Sequence, residues 1–506
     1  MKKILLQFVI WIFAAQIALA HVGSPNVFFE GRAGEYSVYA VVRPPAALPG
    51  AAQVSVRLQQ EVGSVSLLPV MWQAGKQSSP APIVTQKVSG ETNLWSGEVW
   101  LLHPGSYSIQ ISASGNKGLG EATVPVNAIA MEGRQMKPAM RTMLILFAVF
   151  LFVGAVLIIG AVAREGCIGP GASGSRRRRS TVIAVLLLAA GVAASAHRWR
   201  NMDFAYRNQW GQKPEPVIAA VRVESDRMIL ELRQDEKSVM RPPWSALIPD
   251  HGKLMHMFLV REPELNVFAH LHPFRSDANT FALDLPALPE GEYQLYGDIT
   301  FESGIGQTLV ARVQLPKPAG NVIQPPPLLT NLLGEVICGM PPAITNAGQL
   351  ARDMDDSWHL DSGAKEISSG SSRVSRLMGG YTLRFENASA VMAGRESSLH
   401  FSVFAPDGNE APLQTYMGML GHAAVRRADG SVFAHLHPLG SFSMASQEVF
   451  RGAGEKSVLT ARLPAGNRVS FPYEFPKAGN YRLWIQIRVA GRVLTGVFDM
   501  DIKPSA

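Results

Sequence analysis

Two stretches, HMFLVREPELNVFAHLHP (His256–Pro273) and HAAVRRADGSVFAHLHP (His422–Pro438), end in the same heptapeptide, VFAHLHP. Each alternates around a turn signal, as a β-hairpin does. In the second stretch Ala428-Asp429-Gly430-Ser431 predicts a tight two-residue turn, and pairing counted outward sets Arg426 against Phe433, Ala424 against His435 and His422 against His437. The first stretch has a longer turn around Pro263-Glu264-Leu265, and the same count sets Phe258 against His270 and His256 against His272. Side chains alternate faces along a strand, so each hairpin gives one face to an apolar core and gathers three histidines on the other.

The likeness extends outward from the hairpins. Gly291-Glu-Tyr-Gln-Leu-Tyr296 echoes Gly479-Asn-Tyr-Arg-Leu-Trp484, which points to a duplicated domain. Residues 215–317 and 376–506 are therefore expected to be two related β-sandwiches. The intervening 318–375, with Pro325-Pro326-Pro327, an acidic Asp353–Asp356 patch and serines at 368–372, reads as a linker with one short helix near Gln349–Met354. Residues 21–139 alternate in the same style, in YSVYAVV (Tyr36–Val42) and SYSIQI (Ser106–Ile111), and predict a third sandwich. The expected fold class is mainly β: three immunoglobulin-like β-sandwich domains plus a two-helix transmembrane hairpin.

Two apolar runs define that hairpin. Residues 140–163 contain MLILFAVFLFVGAVLIIGAV, long enough for a bilayer core of roughly 30 Å, and 181–197 follow a basic loop at 164–180 that contains Arg176-Arg177-Arg178-Arg179. The positive-inside rule places that loop in the cytoplasm and the sandwiches outside, across the cytoplasmic (inner) membrane. Residues 1–20, two lysines followed by an apolar run ending Ala18-Leu19-Ala20, read as a signal peptide whose removal exposes His21. The formal charge of +7 is concentrated in these segments, so no nucleic-acid partner is expected. The only two cysteines, Cys167 and Cys338, fall on opposite sides of the membrane in this topology, which excludes an internal disulfide.

Three imidazoles from one rigid strand pair can converge on one ion, which makes His256, His270 and His272 one expected metal site and His422, His435 and His437 another. Imidazole suits copper, zinc, iron or nickel. Further ligand candidates are His251 and Asp298 for the first site and Met417, Met419 and Met444 for the second. Met255 and Met257 also flank the first triad, and thioether sulfur favours Cu(I). A terminal His21 offers an amine and an imidazole to an ion, with His103 the other histidine of its domain. His359 and His400 are read as structural.

These features resemble the small extracytoplasmic copper proteins of the CopC-like and YtkA-like kind. The residues that carry the resemblance are His21, His256, the two FAHLHP ends and the G-x-Y-x-L strands. It implies immunoglobulin-like folding and copper binding or delivery outside the cytoplasm, in company with another envelope metal-handling protein. The third domain departs from the second in having Gln486 where Asp298 stands. The expected function is a membrane-anchored, non-enzymatic transition-metal protein with copper as the ion and zinc as the alternative. The rival readings are a structural or interaction protein of the envelope, and an oxidative enzyme with a His21–His103 copper brace.

Overall fold

The computed structural model describes residues 21–22, 26–129, 138–165, 174–210, 217–233, 246–318, 352–361, 373–388, 391–451 and 466–505. The segment 1–20, Cys167 and Cys338 lie outside the described residues. The protein is mainly β, and the described residues form six sheets stacked in pairs as three sandwiches.

In the first sandwich, Val27–Ala33, Tyr36–Arg43, Gly50–Leu58, Leu94–Leu101 and Gln86–Lys87 form one sheet. Gly118–Ala128, Gly105–Gly115, Ser64–Met71 and Ile83–Val84 form the other. The alternation in the sequence is the alternation of burial: along Gly50–Leu58 every second residue is buried, and Ala52, Val54 and Val56 enter the core.

The second sandwich pairs a four-stranded sheet (Ile218–Glu224, Arg227–Arg233, Thr280–Asp284, Phe274–Arg275) with a six-stranded one. The larger sheet runs Leu247–Ile248, Gly291–Phe301, His256–Arg261, Val267–Leu271, Ser357–Leu360, and Gly306–Leu315 also pairs with Gly291–Phe301. The third repeats the plan, with Val374–Arg376, Thr382–Phe385, Ser397–Phe404 and Arg468–Tyr473 behind a five-stranded sheet. That sheet runs His21–Val22, Val432–Leu436, His422–Arg427, Gly479–Val489, Arg492–Ile502.

Three elements differ from the expected boundaries. Residues 352–361 are no linker: Ser357–Leu360 pairs antiparallel with Val267–Leu271 and caps that edge of the sheet, and Arg352–Met354 are not helical. An open edge of unpaired N–H and C=O groups is costly to leave bare, and this strand covers it. His21–Val22 belongs to the third sandwich rather than the first, since it pairs in parallel with Val432 and Phe433 and caps the equivalent edge. The second membrane-directed helix runs Gly174–Trp210, so part of the basic loop and the residues beyond 197 are helical.

The helix Pro138–Glu165 and its partner contain spans, Pro138–Val162 and Thr181–Phe204, long and apolar enough to cross a membrane. Their large side chains, Phe150, Leu157 and Leu187 among them, stand exposed along both helices. A helix satisfies its own backbone, so such a surface suits lipid.

The sandwiches touch one another. The first clasps the third through Glu30 N–H to the Leu439 carbonyl (2.8 Å) and Ser441 N–H to the Phe28 carbonyl (3.2 Å). The short helix Met444–Arg451 lies against it, with Gln447 Nε2 donating to the Thr123 carbonyl at 3.1 Å. The second and third meet through an apolar cluster of their own: Phe258, Val260, Leu265, Phe268 and Tyr296 against Ala424, Phe433 and Trp484.

Candidate metal centre

The counted register is the observed one: Phe258 pairs with His270, and Ala424 with His435. The second turn differs in detail, because Gly430 N–H bonds to the Arg427 carbonyl and Gly430 takes φ +71°. A four-residue connection thus replaces the two-residue turn without shifting the strands. Residues of one parity, Met257, Leu259, Ala269 and Leu271, enter the core of the second sandwich. Those of the other parity, His256, Phe258, Val260, Phe268 and His270, point away from it.

That second face is not open to water. The two hairpins meet face to face, and the two expected triads become one buried cluster between the sandwiches. Relative exposure is 1% for His256, 0% for His270, 3% for His272, 0% for His422 and 3% for His437. The side chains of His251 and His435 are 0% and 5% exposed. Ring centroids of His256 and His435, from different sandwiches, are 5.3 Å apart, and those of His270 and His422 are 6.0 Å apart.

The interface is a pseudo-twofold exchange. His270 Nδ1 lies 2.8 Å from Gln486 Oε1, and His435 Nδ1 lies 3.1 Å from Asp298 Oδ2. Asp298 and Gln486 hold the same register, opposite His256 and His422 respectively. Phe268 stacks on Trp484 at 4.8 Å as Phe433 stacks on Tyr296 at 3.8 Å. Aromatic contacts of this kind add roughly 0.5–1.5 kcal/mol beyond the area they bury.

The outer hydrogen bonds aim nitrogens inward. Asp356 Oδ1 accepts from His272 Nδ1 at 3.0 Å and from the His272 backbone N–H at 2.8 Å, while the Phe442 carbonyl accepts from His437 Nδ1 at 3.1 Å. With each Nδ1 carrying a proton, Nε2 holds a lone pair. The Nε2 atoms of His272, His435 and His437, and both ring nitrogens of His251 and His422, are buried without a hydrogen-bond partner. A second-layer acceptor fixing a ligating imidazole is how metal sites orient their histidines.

The contact between His256 and His270 takes its proton arrangement from its neighbours. The Asp250 carbonyl, 3.1 Å from His256 Nε2, can only accept, so Nε2 carries the proton and Nδ1 a lone pair. With the Gln486 amide oxygen toward His270, the same logic puts the lone pair of His270 on Nε2. In that arrangement the two lone pairs face each other at 3.1 Å, whereas an amide turned to donate its N–H to His270 Nδ1 lets His270 Nε2–H donate to His256 Nδ1. Burial holds His251, His256, His270, His422 and His435 well below the usual imidazole pKa, and the neighbouring imidazoles push the same way. Burial also lowers His437, against the opposing pull of Asp250. A shared proton is thus disfavoured.

Among the described residues, two all-histidine groups have ligand atoms all within 4.8 Å of one another: His256, His270 and His272, and His251, His422 and His437. Bonds of about 2.0–2.1 Å to one tetrahedral ion set its nitrogens roughly 3.4 Å apart, so modest closure would complete either group. The second group differs from expectation in that His251 of the second sandwich takes the place of His435. His435 stands between the groups, 5.5 Å from His422 and 5.7 Å from His270 by ring centroid.

Most other expected ligands go elsewhere. Asp298 bonds Thr308 and His435 from behind the imidazole, and burial raises its pKa to about 7. Met419 and Met444 are core side chains packed with the first sandwich, and Met255 and Met257 belong to the core of the second, so these four sulfurs do not form a thioether shell. Met417 is buried at a turn with φ +49°. His103 is exposed in the turn after Leu94–Leu101, and its N–H donates to the Tyr107 hydroxyl at 3.1 Å. The imidazole of His21 lies outside the described residues.

Sequence reading missed the acidic segment. Asp353 and Asp356 approach His272 within 3.9 and 3.0 Å, and Lys253 bonds both Asp353 oxygens at 2.6 Å. Burial opposes ionisation of Asp353, but His272 and Lys253 overcome it and hold the carboxyl below its usual range. Arg488 reaches across from the third sandwich to Asp355 at 2.9 Å. The usable signal was the apolar SWHL run (Ser357–Leu360) directly after the acids.

A family described as a domain of unknown function, DUF8832, matches residues 375–504, the third sandwich. No curated protein matches the chain. Among solved structures, similarity is found to dimeric latent PorU from Porphyromonas gingivalis, at 8% identity and TM-score 0.14 over 95% of this chain and 34% of that one. The chain therefore spans about a third of that protein. The BSP domain of a biofilm-associated protein is also similar at 8% identity and TM-score 0.14, over 99% and 70% of the two chains. A membrane-anchored protein from Corynebacterium diphtheriae is similar at 9% identity and TM-score 0.13, over 95% and 96%.

Proposed function

We propose that this chain is a membrane-anchored, extracytoplasmic metal-binding protein that buffers or hands over a transition-metal ion, copper foremost and zinc as the alternative. The observation that carries the reading is the convergence of ring nitrogens of His256, His270 and His272, all within 4.8 Å of one another, with His272 Nε2 buried and unpartnered. Buried polar groups are normally satisfied, and a nitrogen in this position costs about 1–3 kcal/mol. An ion of the copper or zinc class accepts all three lone pairs at once. Copper or zinc would be held by His256, His270 and His272, with Asp356 steadying the third imidazole.

Burial between two domains favours holding an ion over turning over a substrate, since no ring edge of the cluster faces solvent widely. The two apolar helices would tether the protein, and the arginines between them would keep the sandwiches on the outer side of the cytoplasmic membrane.

The test is metal analysis of the full chain in detergent, stripped with chelator, reloaded with Cu(II) or Zn(II) and desalted. Retained ion is expected, with loss of stoichiometry in His270→Ala and in His272→Ala. An ion-free wild-type protein, or variants that retain the full complement, would sink the reading.

A further inference from the structure

The two halves of the cluster carry different residues at a pair of matching turns, and that difference assigns a second ion and a division of labour. Asp250–Lys253 is a tight turn closed by two reciprocal backbone hydrogen bonds (2.8 and 2.9 Å), with His251 at φ +51° and Gly252 at φ +79°. Tyr416–Met419 is the same turn, closed reciprocally at 2.6 and 3.1 Å, with Met417 at φ +49° and Gly418 at φ +79°. In each, the first central residue lies five positions before the leading histidine, His256 or His422. A side-chain-bearing residue rarely adopts positive φ, so two copies of this turn at the same distance from a leading histidine mark matched positions in the two sandwiches.

His251 crosses the boundary. Its ring lies 5.4 Å from that of His422 and 5.2 Å from that of His437, and it completes the second ligand group from the opposite sandwich. The pseudo-twofold exchange of Asp298 with Gln486, and of the two aromatic stacks, carries His251 onto Met417 and the pair His422/His437 onto His256/His272. Met417 is buried, as a residue in that position must be.

Resting on the metal reading above, we infer that the chamber holds two unlike ions, each bridging the sandwiches: one on His251, His422 and His437, the other on His256, His270, His272 and the Met417 thioether. Imidazoles alone suit Zn(II) or Cu(II), whereas an added thioether favours Cu(I). The protein would thus hold copper in a sulfur-containing half and a harder ion in the other, and filling either half would lock the two domains together.

The experiment uses the full chain in detergent, titrated anaerobically with Cu(I) against a chromogenic competitor and separately with Zn(II). Two ions per chain are expected, and X-ray absorption of the Cu(I) form should show a sulfur neighbour. Met417→Leu, close in volume, should lose that sulfur signal and weaken one Cu(I) site at least tenfold, with Zn(II) binding through His251, His422 and His437 unchanged. Met417→His should make the halves alike and add a second tight Zn(II). A sulfur-free spectrum for the wild-type protein, or Cu(I) affinities within twofold in Met417→Leu, overturns the inference while leaving a metal site on the first triad intact. A wild-type chain that binds no ion defeats the earlier reading and this one together.

Discussion

In the second sandwich His270 leans on a neutral amide, Gln486, borrowed from the third; in the third, His435 leans on a carboxylate, Asp298, borrowed from the second. His272 is backed by the Asp356 carboxylate, whereas its counterpart His437 is backed only by the Phe442 carbonyl. The two hairpins are near copies, so the difference lies in what surrounds each imidazole. A carboxylate behind a histidine raises its basicity and fixes its ring more firmly than an amide or carbonyl does. The histidines occur twice, and the unequal partners make two different environments from them.

Acid should break both halves together and give the largest effect. His251, His256, His270, His422, His435 and His437 are buried and held below the ordinary value of 6.5. In the unfolded chain they take up protons below about pH 6.5, while the folded cluster stays neutral, so unfolding binds protons and stability falls as pH falls. Each contributes about 1.4 kcal/mol per pH unit in that window, lost progressively on acidification and unchanged above it. Denaturant melts of the metal-stripped protein at pH 7.5 and 5.5 should therefore differ by several kcal/mol, and a flat profile would mean that the imidazoles are not buried neutral.

The aromatic stacks offer the next test. Trp484 is 1% exposed and lies flat on Phe268 across the boundary. Trp484→Ala should cost about 3–5 kcal/mol, because it removes a large buried side chain and leaves a cavity. Tyr296→Ala, its counterpart against Phe433, should behave alike but also leave Arg426 Nε, which donates to the Tyr296 hydroxyl at 3.2 Å, without that partner. Metal retention falling with either variant would show that the centre needs both sandwiches docked.

The carboxylate contrast comes third. Asp356→Asn should weaken binding at the first triad by about 10–100-fold, the usual effect of losing a partner behind a ligating histidine. Asp298→Asn should act instead through His435. Parallel titrations of the two variants separate the halves, and equal losses at every ion would deny that each carboxylate serves its own imidazole.

The hairpin register was legible in sequence because strand parity is strict and the turns are well marked. Parity also held the answer about methionine: Met257 alternates with His256 and Phe258, so it had to face the core when they faced away. The meeting of the two histidine faces was not read, since docking of domains about 165 residues apart leaves no local pattern. A clue was present nonetheless, in that Phe258, Phe268, Phe433 and Trp484 share the parity of the histidines, and a face bearing both large aromatics and imidazoles is one to be covered. The strand at Ser357–Leu360 was hidden by its proline- and serine-rich surroundings, and with it the acids that reach His272.

The smallest expected effects lie in the paired turns, and they probe whether the turns carry equal weight. Gly252 takes φ +79° with open space where a Cβ would stand, so Gly252→Ala meets no clash and its cost is conformational. Forcing an L-residue into that region costs about 1–2 kcal/mol, and Gly418→Ala at φ +79° should cost the same for the backbone. The consequences beyond the backbone should diverge. A shifted His251 removes an imidazole from the second group, whereas a shifted Met417 removes no nitrogen from either group. Gly252→Ala should therefore lower Zn(II) affinity while Gly418→Ala leaves it unchanged, at matched losses of melting temperature. If Zn(II) binding falls equally in both, the two turns act only as scaffolding, and His251 is not the residue that joins the halves.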